Sequence, residues 1–260
     1  MDAHKRIFRV VIDVLVRVSA AILFFVPIWF LVAALGTQFG IWDYQFGLEQ
    51  MTRLWGVRFL ATGLVLIALT HVAIAAYSVW AKKLYGKFPQ PVMGLLVVVL
   101  ALGWTGHING LRNAGEASLD VTTDATDPPG FSTSYHNRRR AEAGAHSIDL
   151  DLPGTGASMA WPGLQTLTLS DPPDAVYSRA LAQARSEGWR IGAASRGAGM
   201  FEAGTSEFWF GFHDDMVIRI RDDGEGGSLV DMRSIAREPV HDLGRNAQRV
   251  EAFMVALEAG

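Results

Sequence analysis

The stretch Phe208-Trp-Phe-Gly-Phe-His-Asp-Asp-Met-Val-Ile-Arg-Ile220 sets four aromatics against a His-Asp-Asp cluster, and its reading decides the fold. Phe208 and Phe210 fall on one side of an alternation and Trp209 on the other. Met216, Ile218 and Ile220 oppose Val217 and Arg219, so a second strand follows. Gly211-Phe-His-Asp-Asp215 between them carries turn-forming residues. The stretch therefore predicts an antiparallel hairpin, with Asp214 and Asp215 in or beside its turn.

Periodicity on both sides extends the pattern. Upstream, Leu164–Leu169 reads as a strand. Asp171-Pro-Pro opens a helix with Val176, Ala180, Leu181 and Ala184 on one face, and Asp171 is its expected N-cap. Trp189–Ala193 and Met200–Ala203 alternate as strands. Downstream, Asp222-Asp-Gly-Glu-Gly-Gly227 is a turn and Leu229–Ile235 a strand. Asp242 is the expected cap of a last helix, whose stripe is Leu243, Ala247, Val250, Phe253, Met254 and Leu257. The order β-α-β-β-β-β-α predicts an α+β domain over residues 161–260, an antiparallel meander with two helices on one face.

The N-terminal part is of another kind. Val18–Gly36, Val57–Tyr77 and Val92–Asn109 are apolar runs long enough to cross a bilayer, so residues 1–112 read as three transmembrane α-helices. The first run is long for a signal-peptide core, and two more follow it. Residues 1–110 hold 9 Lys and Arg against 4 Asp and Glu, a net +5, and the remainder holds 14 against 22, a net −8. Lys5, Arg6, Arg9 and Arg17 precede the first run, and Lys82, Lys83 and Lys87 lie between the second and third. That asymmetry predicts a cytoplasmic N-terminus, with everything after the third span on the far side. Trp29, Trp42, Trp55, Trp80 and Trp104 lie near span ends, as interfacial anchors do.

Residues 113–160 read as an extended linker, punctuated by Asp127-Pro-Pro-Gly130, Arg138-Arg-Arg140 and Pro153-Gly-Thr-Gly156. It is expected to wrap the domain or lie on the membrane surface. The acidic C-terminal half argues against nucleic-acid binding.

Candidate sites are few. Asp13 and Arg17, four apart, predict an ion pair at the entry of the first helix. His71 lies within the second span and His107 near the end of the third, at depths more than about 10 Å apart, so one haem cannot take both. An interhelical hydrogen bond aided by Thr70 is expected for His71. His213-Asp214-Asp215 supplies consecutive side chains that point apart, which is poor metal geometry. No metal or cofactor is expected, and no fingerprint of a catalytic class appears. Arg190, Arg219, Asp231 and Arg233 share the sheet face away from the helices, with Val217 and Trp209 among them. That face predicts either cross-strand ion pairs or an arginine-lined docking surface for an envelope protein or anionic lipid. Asp242, Asn246 and Arg237 are expected to clamp the last helix to the sheet. In that clamp Arg237 reaches Asp242 or Asp215, and Asn246 bonds the Arg237–His241 loop.

Phe210-Gly-Phe-His-Asp-Asp-Met-Val-Ile-Arg219, Val230-Asp-Met-Arg-Ser-Ile-Ala-Arg237 and Asp242-Leu-Gly-Arg-Asn-Ala247 together resemble the bacterial envelope family catalogued as domain of unknown function 1499. Asp120-Val-Thr-Thr-Asp…Asp127-Pro-Pro129 resembles the segment that leads into it. The resemblance covers roughly 115–258. Long-form members also carry three leading hydrophobic spans. Ala236, Pro239 and His241 depart from the family's pattern of Ser, Gly and Ser in one loop. The family has no established activity. The resemblance implies an inner-membrane protein whose partners are the bilayer and an envelope component. The competing expectations are an envelope enzyme acting on a lipid or cell-wall precursor through His213, Asp214, Asp215, His241 and Asp242, or an accessory subunit of a membrane transport or redox complex.

Overall fold

The computed structural model describes residues 3–82, 84–86, 89–114, 119–135, 137, 161–238 and 242–260. The Arg138–Arg140 triplet, Pro153–Gly156 and His241 lie outside the described residues. The chain divides into two compact units, one of Met1–Gly110 with Trp209–Gly211 and one of Leu111–Phe208 with Phe212–Gly260.

The first unit holds α1 (Ala3–Gln38), α2 (Val57–Ala81) and most of α3 (Pro89–Ala114). A widened, π-type helical segment, Gln45–Gly56, runs directly into α2. Three helical stretches, His4–Gln38, Gln45–Ala81 and Pro91–Gly110, are long and apolar enough to cross a membrane. Large apolar side chains such as Phe24, Leu69, Val72 and Leu96 face outward, as a lipid-facing surface requires. Val26, Leu60, Ile67 and Val98 pack inward between the helices. A Cβ on Gly94 would stand 2.9 Å from the Ser19 carbonyl oxygen, so only glycine permits this approach of α3 to α1.

The polar groups here have local partners. Thr70 Oγ1 donates to the Leu66 carbonyl, so Ser19 Oγ donates the 3.0 Å bond that joins α1 to α2 at Thr70. The interhelical bond expected near His71 thus involves Thr70, while His71 Nδ1 lies 2.8 Å from the Ile67 carbonyl of its own helix. Asp13, expected to pair with Arg17, accepts a 2.6 Å hydrogen bond from the Tyr85 hydroxyl.

The second unit is an α+β domain. Its strands are β1 (Asp120–Thr122), β2 (Leu167–Leu169), β3 (Arg190–Ser195), β4 (Met200–Ser206), β5 (His213–Asp222) and β6 (Ser228–Ala236). Its helices are α4 (Pro173–Ser186) and α5 (Arg245–Ala259). The antiparallel sheet runs β1-β6-β5-β4-β3, and β2 pairs with the other half of β6's outer edge. Met216, Ile218 and Ile220 of β5 and Val230 and Met232 of β6 face the helices. There they pack with Phe201, Val176, Ala180, Val250, Phe253 and Leu257. Burying a side chain such as Phe201 or Phe253 contributes about 1.5–3 kcal/mol.

Four expectations are corrected. The opening stretch is a hairpin, but Phe208–Gly211 form its turn, so Trp209 lies off the sheet face assigned to it. His213, Asp214 and Asp215 are strand residues, because β5 pairs with β4 from His213 onward. Turn chemistry placed them in or beside the turn, since Asp favours turns; tertiary pairing of each carboxylate holds it in the strand that begins beside that turn. The supposed linker supplies β1, which pairs Asp120 with Ile235 and Thr122 with Arg233. Three residues are too few to show alternation, so no strand signal is legible there. Both caps also move. Pro172 precedes α4, and Asp171 instead accepts a 2.9 Å bond from Arg179. Gly244, at φ 78°, precedes α5, and Asp242 acts from two residues further back.

Candidate functional site

Strand alternation sends Asp214 and Asp215 to opposite faces of the sheet. On the helix face, Asp214 Oδ2 accepts a 2.7 Å bond from Arg249 of α5. Burial raises its pKa above the ordinary carboxylate value, against the lowering effect of Arg249. Arg249 also donates to Asn246 Oδ1 (2.8 Å) and to Ser234 Oγ (3.2 Å). Ser234 Oγ in turn donates to Asn246 Oδ1 at 2.6 Å. Asp242 Oδ2 accepts the Asn246 backbone N–H (3.0 Å) and its side-chain N–H (3.2 Å), and Asp242 Oδ1 accepts the Gly244 N–H. Asn246, fully buried, therefore joins α5 to β6 through Ser234; residues 239–241 of the loop it was expected to bond lie outside the described residues.

On the other face, Asp215 meets Arg237 in a two-pronged pair of 2.9 and 2.8 Å and accepts the Tyr135 hydroxyl. Arg237 thus serves Asp215. The expected clamp separates into two groups, Asp242 with Asn246 on one face and Arg237 with Asp215 on the other. Burial pushes the Tyr135 hydroxyl far above the usual tyrosine range, and the Asp215 charge adds to this. Burial opposes the charge on Arg237, but Asp215 outweighs it and holds the guanidinium firmly protonated.

Four arginines of this face, Arg219, Arg221, Arg233 and Arg237, are matched to carboxylates. Arg219 donates to Asp231 (3.0 Å), Asp127 (2.8 Å) and Asp124 (3.2 Å), and Arg221 donates to Asp231 at 2.7 Å. Asp231 also accepts Thr166 Oγ1 at 2.6 Å. The Asp127 backbone N–H, with Thr126 and the two arginines, holds Asp124 below the ordinary carboxylate range. Arg233 forms a two-pronged pair with Asp120 at 2.8 and 2.7 Å, and each side chain is only 3% exposed. Residues 119–135 supply these partners and also a small apolar layer. Phe131 stacks on Tyr135, with ring centroids 5.0 Å apart, and both pack with Val217 and Ile235. The polar ends of the layer are tied as well: the Ser132 backbone N–H donates to Glu202.

Of the sequence-predicted residues, Asp214, Asp242 and Asn246 meet on the helix face with Arg249 and Ser234. Asp215 and Arg237 meet on the other face, where Arg219 and Arg233 sit in two further ion-pair groups. His213 is placed 3.5 Å from Glu238. Among the described residues, no three His, Asp or Glu side chains gather where they could hold a metal ion. Sequence reasoning missed Asp120, Asp124, Asp127 and Tyr135 as partners, although the quoted linker motif contains the three aspartates.

A sequence model for the family described as "Protein of unknown function (DUF1499)" matches residues 120–257, more than half of the chain. The chain belongs to this family. No curated protein matches it. The match opens on Asp120, the first residue of β1, and closes on Leu257, a buried residue of α5. In this DUF1499 domain the matched region therefore contains β1 and its charged partners, and the ion-pair network belongs to the domain itself.

Proposed function

We propose that this DUF1499 protein is a non-catalytic inner-membrane protein, with its N-terminus cytoplasmic and its α+β domain periplasmic. In this reading the domain binds or scaffolds an envelope partner, protein or lipid. The observation that carries the non-catalytic part is the separation of Asp214 and Asp215 to opposite sheet faces, each bound to its own arginine. General acid–base work needs carboxylates that converge on one substrate. Here the carboxylates converge on guanidinium groups that hold structure. The orientation rests on the basic residues flanking α1 and between α2 and α3.

A reporter active only in the periplasm tests the topology. It should be active after Gly260 and silent in the Lys82–Lys87 loop; the reverse pattern overturns the orientation. Purification of the full chain in mild detergent, with identification of co-purifying lipid and protein, tests the binding role. Turnover of an envelope lipid by the purified chain, abolished by Asp214→Asn or Asp215→Asn with folding intact, would overturn the non-catalytic reading.

A further inference from the structure

The two edges of the sheet differ. On one side β1 and β2 cover the two halves of β6. On the other, β3 pairs with β4, and among the described residues no strand pairs with its outer edge. An open edge presents backbone N–H and C=O groups to any extended chain. Sheets guard such an edge with lysine, proline, inward-pointing charge or a bulge. β3 reads Arg190-Ile-Gly-Ala-Ala-Ser195, with no lysine or proline and with small side chains from Gly192 to Ala194. Its one guard is a shift of register against β4 between Ile191 and Ala194. That shift hinders indiscriminate stacking of sheets and leaves Arg190–Ile191 and Ala194–Ser195 as two regular ends.

Charge along this edge identifies the occupant. Arg190 ends a cross-strand row that runs Asp120, Ile235, Asp215, Gly204, Arg190, on the face away from the helices. In that row Asp120 is held by Arg233, and Asp215 by Arg237 and Tyr135. Gly204 offers no side chain. Arg190 is exposed and, unlike the other four arginines of the face, has no carboxylate partner among the described residues. Arg196, just past the far end of β3, is tied to α4 through Asp174 and Ser178. On a further strand, the residue opposite Arg190 would have its Cβ about 5 Å away, and a carboxylate there would complete the row. Antiparallel pairing of two copies through β3 would instead gather both Arg190 and both Arg196 side chains at the strand ends. Like charges across strands oppose pairing, which disfavours a second copy.

We propose that the outer edge of β3 is a docking edge for an extended acidic segment of an envelope protein, which joins the sheet as a further strand with a carboxylate beside Arg190. The proposal deepens the binding role given above and rests on it. In strand addition, main-chain hydrogen bonds supply affinity, and alternate side chains supply specificity. Here the specificity is one charge, placed on the face away from the helices.

Hydrogen exchange of the Trp189–Ser195 amides, followed by mass spectrometry of the full chain in detergent micelles, tests the edge. The probe is a capped six-residue peptide of alternating valine and threonine, with one threonine replaced by aspartate; its counterpart carries lysine there. The aspartate peptide should slow exchange of these amides several-fold, and the lysine peptide should not. Arg190→Glu, an exposed change, should melt like wild type, lose the response to the aspartate peptide and gain one to the lysine peptide. Protection by neither peptide, or by both equally, overturns the proposal. Amides already slow without peptide mean a filled edge. Filling that persists on dilution assigns it to residues 138–160 of the same chain, filling that fades assigns it to a second copy, and either overturns the proposal. An envelope protein or lipid that co-purifies equally with wild type and Arg190→Glu overturns the edge and leaves the binding role standing. A chain that co-purifies with nothing, and whose β3 amides no peptide protects, overturns both.

Discussion

The Asp120–Arg233 pair joins the first strand of the domain to β6 across 113 residues of sequence, and it should dominate stability out of proportion to its size. Asp120→Asn keeps the shape of the side chain but leaves the Arg233 guanidinium as an uncompensated charge at a site 3% exposed. Removing one member of a buried pair costs about 3–5 kcal/mol. At about 2–4 °C per kcal/mol for a domain of this size, Tm should fall by roughly 6–20 °C. Replacing both members by apolar residues, Asp120→Leu with Arg233→Met, removes the stranded charge. The double variant should then lose less than Asp120→Asn, even though it has lost both hydrogen bonds. Near-UV circular dichroism of the full chain in detergent micelles follows the melt through the packed aromatics of the sheet domain. A Tm for Asp120→Asn within about 2 °C of wild type, below the shift that 1 kcal/mol would give, refutes the reasoning. So would a double variant less stable than Asp120→Asn.

Three further predictions follow from other parts of the domain. Asp242→Ala and Asn246→Ala should each cost about 1–3 kcal/mol, because each strands buried polar partners, and the double variant should cost less than the two together since they share hydrogen bonds; additive denaturant midpoints would disprove the shared group. Asp124 and Asp214 should act on the pH dependence of stability with opposite signs. The folded pKa of Asp124 lies below its ordinary 3.8, so its contribution is present above that value and lost as pH falls through the folded pKa; the Tm deficit of Asp124→Asn should be full at neutral pH and shrink in acid. The folded pKa of Asp214 lies above 3.8, so its ionisation costs stability as pH rises through that window; relative to wild type, Asp214→Asn should improve over the same rise. The same sign for both, in Tm measured against pH, would contradict these environments. Finally, a Cβ on Gly199 would stand 2.2 Å from the Ile220 carbonyl oxygen at φ 62°, whereas Gly224, at φ 86°, has open space around it. Gly199→Ala should therefore lose clearly more than the about 1–2 kcal/mol of left-handed strain expected for Gly224→Ala, and equal denaturant midpoints would refute the close approach.

The amino-acid sequence by itself determined the elements whose periodicity is long. The three apolar runs became helices because each exceeds the length of any soluble strand and carries few charges. Alternation over Met216–Ile220 and Leu229–Ile235 fixed two strands and the face each residue takes, since the period of two leaves no alternative once one side is apolar. The stripe from Ala247 to Leu257 fixed the last helix in the same way.

Only the tertiary structure decided where the hairpin turns and what its acids do. Turn propensity placed Asp214 and Asp215 in or beside the turn; Arg249 and Arg237 lie 35 and 22 residues away and hold them in the strand that leaves it. The same holds for β1. Three residues carry no legible period, and Asp120 becomes a strand residue because Arg233 and the edge of β6 receive it. Local sequence sets which conformations are cheap. Which carboxylate meets which arginine depends on register and chain path, and these exist only once the sheet has formed.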